Sequence, residues 1–529
     1  MRGRGRDGKA GIDGRGVRTP RSGVPPGARL RYGSWDREWI VMNAPASAIS
    51  EADRRLIVIG ALVSMFLAAL DQTIVAPALP TIGAALGQPE WLAWIISAYF
   101  LTATAVTPLY GKLADVMGRR PVLFSAVGIF IGGSVLCALA PTMPMLILAR
   151  AIQGIGGGGL IALAQTIIGD VVPPRERSRY VAYITGVWAT ASLAGPVVGG
   201  VFAEHVHWSL IFWINVPIGL AAVLLSERTL RKLPKVTRAH RLDWQGALAV
   251  VGATVTLQLA LTWGGVRWPW SSPQIIGLLA GSVVLFAAFA VRLGTAAEPL
   301  IPPRVLRNPV IAFATTGLFF SSMAFVSLSV LVPIFLEMAF GLTPAEAGLA
   351  LVAYLGGTVV GANISGRLMR RVERYKRIAV IGTAVAIAGL VLLAATAGSI
   401  SLPWLEVLVA IVGAGVGTQF PVTTVSVQNA AEPRDLGTAT ACLAFLRSLG
   451  SVIGVAVLGA ILIGSGVVTS IGEAAGPTSG AAADPASVRA VFAIVFAAAA
   501  AAQAVTLVLI LLMRELPLRG PQHGSGEPA

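Results

Sequence analysis

Charge is what this sequence of 529 residues has least of: 12% are Asp, Glu, Lys or Arg, against roughly a quarter in soluble domains. So little charge cannot cover a large soluble surface. The apolar residues, 55% of the total, come in runs of about 20 rather than in the stripes of amphipathic elements. Cysteine is nearly absent as well. Cys137 and Cys442 lie far apart inside apolar runs, which excludes a disulfide framework or a thiolate cluster. The four histidines are scattered; His205 and His207 flank a short loop without a third ligand, so no metal is expected. No nucleotide-binding domain is visible. The glycines Gly154, Gly156, Gly157, Gly158 and Gly159 sit inside an apolar run and lack the Gly-Lys-Ser/Thr ending that cradles phosphate. ATP is therefore not expected as an energy source, nor any cofactor. With no nucleophile–base pair or metal triad, the sequence does not read as an enzyme.

The net charge is +15, but its distribution argues against a nucleic-acid partner. Residues 1–41 hold ten Lys/Arg and four Asp/Glu in an Arg/Gly-rich leader, a composition that predicts disorder. The leader has no apolar stretch of the kind a secretory signal needs. Met42, just before the first apolar run, is the alternative start.

At ~1.5 Å per residue, an apolar run of about 20 crosses a ~30 Å hydrocarbon core, and it must be helical because lipid offers the backbone no partners. Spans are expected at 56–78, 91–110, 121–140, 144–168, 180–203, 208–226, 244–264, 274–294, 310–339, 346–368, 376–397, 403–427, 438–466 and 488–513. The fold class is thus an all-α, polytopic membrane protein of fourteen helices. One set of alternate loops carries nearly all the basic residues, among them Lys112, Arg119, Arg120, Arg175, Arg177, Arg179, Arg228, Arg231, Arg292, Arg304, Arg307, Arg367, Arg371, Lys376 and Arg434. The other set holds only Arg267 and Arg489. The positive-inside rule then places both termini in the cytoplasm. Trp91, Trp94, Trp208, Trp268 and Trp404 fall at the expected outer ends, as an aromatic belt requires.

An internal repeat divides the spans. GKLADVMGRR (111–120) follows the second span, and GANISGRLMRRVERYKR (361–377) occupies the corresponding place in the last six. Gly195 with Gly199 in the fifth span matches Gly450 with Gly454 in its counterpart. The expected organisation is a basic tail over 1–50, a six-helix bundle over 51–227, a cytoplasmic loop and two inserted helices over 228–308, a second six-helix bundle over 309–515, and a tail over 516–529. Parallel halves with a midplane site between them are one transporter architecture.

A few residues inside the spans carry chemistry. A charge within a span costs ~2.5 kcal/mol or more, so Arg150 should face the bundle interior or a cavity. Gln153 and Gly154 share its face at i+3 and i+4. An arginine does not titrate near neutral pH, so its role is to tune a neighbouring carboxylate, hydrate a pathway, or serve as a structural donor. Asp71, deep in the first span, is the best carboxylate for binding and releasing a proton; a cation-binding or helix-locking aspartate is the alternative. Glu337, late in the ninth span, is the second carboxylate candidate, expected near the outer interface where a solvated role is favoured, and Arg447 in the thirteenth span mirrors the logic of Arg150. Pro196 is expected to kink the fifth span and suit a moving interface. In the loop motif, Gly111 and Gly118 allow tight turns. Asp115 can pair with Arg119 or Arg120 and accept from a neighbouring helix N-terminus, forming a conformational latch; ordinary topology-setting charge is the alternative.

In this order, GKLADVMGRR, LILARAIQGIGGGG (146–159), AGPVVGG (194–200), LDQTIVAPALP (70–80) and FWINVPIG (212–219) resemble the motifs of the major facilitator superfamily. Within it they are most similar to the fourteen-helix drug:proton antiporters of the EmrB/QacA type, over residues 52–515. The resemblance implies a proton-coupled exporter of small amphipathic molecules in a bacterial plasma membrane, driven by the proton gradient, for which a monomer suffices. It implies that Asp71 and Arg150 couple the proton. Gln153, Gly154, Gly195, Pro196, Gly199, Glu337 and Arg447 would line the substrate cavity or helix interfaces. Ala76, Ser209, Glu337 and Ala353 depart from the family's usual Asn, Arg, Gln and Pro. An exporter of one defined metabolite, such as a siderophore or lipid precursor, and a non-transporting sensor or assembly subunit on the same fold are the alternatives.

Overall fold

The computed structural model describes residues 50–517 except 89–90, 232–242, 266, 370, 373 and 466–484. The expected basic tail therefore lies outside the described residues apart from Ser50, as do most of the loop before Asp243 and residues 518–529. Within the described residues thirteen helices are long and apolar enough to cross a membrane. A fourteenth helix, Leu92–Met117, has 26 residues. The first six are α1 (Glu51–Ile74), α2 (Leu92–Met117), α3 (Arg119–Ala138), α4 (Met143–Val171), α5 (Pro174–His205) and α6 (Asn215–Leu230). Next come α7 (Trp244–Trp263) and α8 (Pro273–Thr295). The last six are α9 (Pro309–Phe340), α10 (Pro344–Leu368), α11 (Lys376–Thr396), α12 (Leu402–Gly417), α13 (Leu436–Gly464) and α14 (Pro485–Leu512).

Prolines set the departures from the expected spans. α1 stops at Ile74, and Pro77 and Pro80 open a single turn, Ala76–Ala78, and a short helix, Leu79–Leu86. The sixth span opens as one turn, Leu210–Trp213, and resumes at Asn215 with Pro217 in its first turn. α12 pauses at Thr418 and continues as Gln419–Ala430, with Pro421 in the new first turn. A proline there needs no backbone donor, so each break costs little. α5 runs unbroken through Pro196.

The two sets of six pack alike. In the first, α4 lies against α2 and α3, and α1 against α5 and α6; in the second, α12 lies against α10 and α11, and α9 against α13 and α14. Glycine lets the backbones touch at equivalent places. A Cβ on Gly154 or Gly158 would overlap α2 at Tyr99 or Ala103, and one on Gly413 or Gly417 would overlap α10 at Tyr354 or Thr358. Gly195 and Gly199 press on Thr73 and Ile74 of α1; Gly450 and Gly454 press on Phe319 and Met323 of α9. The halves meet along α2 with α13 and α5 with α10, an exchange of equivalent helices. α7 rests on α2 and α13 and carries α8, of which only Ile275, Ser282 and Phe289 are buried. Outward-facing side chains such as Leu224, Leu248, Val283 and Leu349 are apolar and exposed, the surface that a bilayer solvates.

Ion pairs and caps sort the helix ends into two faces. On one, Arg54 of α1 meets Glu176 of α5 at 3.7 Å, Arg292 of α8 meets Asp243 before α7 at 2.9 Å, and Arg304 before α9 meets Asp435 before α13 at 2.5 Å. The Lys376 ammonium at the start of α11 caps the end of α14 through the carbonyls of Leu511 and Met513. The described chain therefore begins and ends its crossings on this basic face. The two basic residues of the opposite face have local partners. Arg489 donates to the carbonyls of Gly398 and Ala339, capping α11 and α9, and Arg267 stacks on Trp263 and Trp268.

Candidate functional site

Inside the first half, α1, α3 and α6 each deliver one polar side chain, and α4 two, to the same buried point. Asp71 comes from α1 and Arg150 from α4, and both are almost wholly excluded from solvent. Arg150 Nη1 donates to Asp71 Oδ2 at 2.6 Å and to Gln153 Oε1 at 2.7 Å, while its Nε donates to the Ile95 carbonyl of α2 at 3.0 Å. Asp71 Oδ1 accepts from Gln153 Nε2 and from Asn215 Nδ2 of α6, each at 2.8 Å. Both amides also donate to Ser134 Oγ of α3, whose hydroxyl donates to the Phe212 carbonyl at 3.1 Å. The guanidinium lies over the Tyr99 ring at 4.5 Å and near the Phe212 ring at 5.7 Å.

Such a cluster is held by its mutual hydrogen bonds, which among the described residues leave Asn215 Oδ1 unpaired. Two charges taken out of water cost several kcal/mol each, and only short, complete hydrogen bonding offsets this. Its members come from five helices, so any change in the charge of Asp71 is felt by the whole half. The sequence marked Asp71, Arg150 and Gln153; Ser134, Asn215, Tyr99 and the Ile95 carbonyl were missed. Asn215 did leave a signal, a lone amide between Phe212-Trp213-Ile214 and Val216-Pro217.

A second polar knot lies on the basic face. Gly118 has φ +89°, a left-handed turn that starts α3 with Arg119. Asp115 is paired with Arg119 at 2.6 Å, and Arg119 also meets Asp170 of α4 at 2.7 Å. Of the two arginines weighed for Asp115, Arg120 instead pairs with Glu227 of α6 at 2.5 Å. Asp115 crosses to the other half: it accepts from the backbone N–H of Gly437 at 2.9 Å, and from the N–H and hydroxyl of Thr438 at 2.6 and 2.7 Å. These are the free donors of the α13 N-terminus, where a carboxylate is favoured. Gly111 lets α2 touch Gly437 and Ala441, where any Cβ would collide.

The remaining candidates are spread out. Gly154, Gly195 and Gly199 lie at helix contacts within the first half, and Pro196 on the exposed side of α5. Glu337 is half-buried one turn before the end of α9, its carbonyl accepting from Gly341. Arg447 of α13 lies 5.9 Å above the Trp188 ring of α5, at the seam between the halves. Among the described residues no group of three or more His, Cys, Asp or Glu is placed to hold a metal ion.

Comparison with known proteins agrees with this architecture. The sequence profile described as Major Facilitator Superfamily matches residues 61–455 and 314–528. "Multidrug resistance protein 3" of Bacillus subtilis (strain 168) is 35% identical over 411 residues, covering 78% of this chain and 80% of that protein. "Efflux pump dotC" of Dothistroma septosporum is 36% identical over 428 residues, covering 79% and 73%. Among solved structures, the human organic anion transporter MFSD10 superposes with a TM-score of 0.57 at 16% identity, covering 87% of this chain and 99% of its own; that likeness is one of fold alone.

Proposed function

Because this chain belongs to the Major Facilitator Superfamily and is a multi-pass membrane transporter of small molecules, we propose that it is a proton-coupled exporter of amphipathic compounds. The relatives named as multidrug resistance and efflux proteins support the direction and the breadth of cargo. The observation that carries the coupling is Asp71, a buried carboxylate whose three acceptor contacts tie together α1, α4 and α6.

The basic face is the cytoplasmic one, by the positive-inside rule, and the membrane is the plasma membrane of a bacterium. A proton arriving at Asp71 removes the charge that Arg150 faces and weakens its hold on Gln153 and Asn215. Arg150 keeps its charge and must re-pair, so the five-helix cluster rearranges. Two residues beyond Asp71, the Thr73 hydroxyl donates to the Ala191 carbonyl of α5 at 2.8 Å, and α5 carries Trp188 to the other half. Rearrangement at Asp71 thus reaches the seam through the glycine contacts of α1 with α5. On the cytoplasmic side the Asp115 knot holds α2 against α13; its release lets the halves rock and admit substrate from that side. Substrate moves out as the proton moves in.

The test is transport in proteoliposomes under an imposed inward proton gradient, with cationic, neutral and anionic amphipathic dyes as cargo. Gradient-dependent dye efflux is expected. Its absence for every probe would sink the antiporter reading and leave the fold untouched.

A further inference from the structure

A charge in the middle of a membrane span marks a pathway or needs a partner. Among the described residues, Asp71 and Arg150 neutralise each other. Arg447, near the middle of α13, is different: among the described residues its guanidinium has no carboxylate within ion-pair distance and no hydrogen-bond partner. Its neighbour is the Trp188 ring at 5.9 Å, close to the ~6 Å limit of a cation–π contact, so the planar fork stays available. Trp188 brings a second donor, since its buried indole N–H has no acceptor. Two donors and no acceptor thus meet on the seam, one from each half, and a buried donor left unpaired is costly. Around Trp188 the packing is apolar. Phe66 and Ile218 pack with Trp188 around Ala69, Leu70 and Ala191.

We propose, building on the exporter reading, that Arg447 and Trp188 recognise amphipathic organic anions. The carboxylate or sulfonate of the cargo accepts from the Arg447 fork and the Trp188 N–H, and its planar apolar body lies against Trp188 and Phe66. Because α13 and α5 belong to opposite halves, the bound anion bridges them, and parting of the halves releases it.

Full-length protein in phosphatidylcholine nanodiscs, with empty discs subtracted, would be titrated with 8-anilino-1-naphthalenesulfonate and with N-phenyl-1-naphthylamine, its analogue without the sulfonate. The wild type should bind the sulfonate at least about tenfold more tightly. Arg447→Gln should abolish that ratio while leaving the neutral probe's affinity unchanged. Arg447→Lys and Trp188→Phe, milder changes that carry the reading if the glutamine variant does not fold, should each reduce it about threefold. A wild type without preference, or a ratio unchanged in the variants, overturns the proposal. Loss of the preference on adding phosphatidylglycerol would assign the site to a lipid headgroup and overturn it too. Since the readout is equilibrium binding, its failure leaves the exporter reading standing, and failed efflux leaves the binding result standing.

Discussion

Asp71→Asn keeps the shape of the buried cluster but leaves the Arg150 cation without its counter-ion. Breaking a buried pair from one side costs about 3–5 kcal/mol, so the variant should show a lower Tm in detergent and no gradient-driven efflux. Asp71→Asn combined with Arg150→Met should recover much of the Tm without recovering efflux. A single variant with wild-type Tm and full efflux would show the pair to be idle. Asn215→Ala removes one donor from Asp71 and one from Ser134 and should cost about 1–3 kcal/mol, read as a smaller loss of Tm. The charged members of this cluster were legible because charges are rare in apolar runs. Ser134 was not, because most hydroxyls in helical spans satisfy themselves on their own helix, as Ser64 does on the Gly60 carbonyl and Thr254 on that of Val250. Only the fold shows that Ser134 reaches across to Phe212 instead.

Between helices, glycine decides how close backbones come. Gly158→Val would drive two methyl groups into the Ala103 backbone, and the expected result is loss of folded, monodisperse protein on size exclusion. Gly277→Ala in α8 meets nothing within 4 Å and should leave stability unchanged or raise it by up to about 1 kcal/mol, read as an unchanged or higher Tm. Equal effects of the two substitutions would refute this account of the α2–α4 seam. The glycine pairs were readable in the sequence as a repeat. What the repeat did not convey is where the halves stop being alike. Gly154 and Gly413 occupy equivalent contacts, so the residues four earlier, Arg150 and Val409, correspond, as do Gln153 and Val412 one earlier. The second half fills that place with hydrocarbon and with the rings of Tyr354, Phe325 and Phe420. The breaks at Ile214 and Thr418 were equally open to reading, since Pro217 and Pro421 each stand one turn beyond. Apolar run length hid them, because hydropathy does not register a missing backbone donor.

Across the whole molecule, the Asp115 knot joins α2 of the first half to the start of α13 in the second. Asp115→Asn removes the anion that gathers Arg119 and three donors of α13. Hydrogen bonds to charged groups contribute ~1.5–3 kcal/mol each, so losing one should shift the conformational balance about tenfold. Spin labels at Lys112→Cys and Arg434→Cys should then report a longer distance in electron–electron resonance, with a wild-type distribution speaking against the latch. The same arginines have an earlier life. Arg119 finds Asp170 only 51 residues later and Arg120 finds Glu227 107 residues later, an interval of several seconds at ~5–20 residues per second of synthesis. While α3 is being inserted Asp115 is already present for Arg119, whereas Asp170 and Glu227 are not, and the basic residues themselves are what hold a loop on its side. On the orientation and latch proposed above, these arginines serve the nascent chain before they join the Asp115 knot, so a charge-reversed loop should fail first in biogenesis and only afterwards in transport.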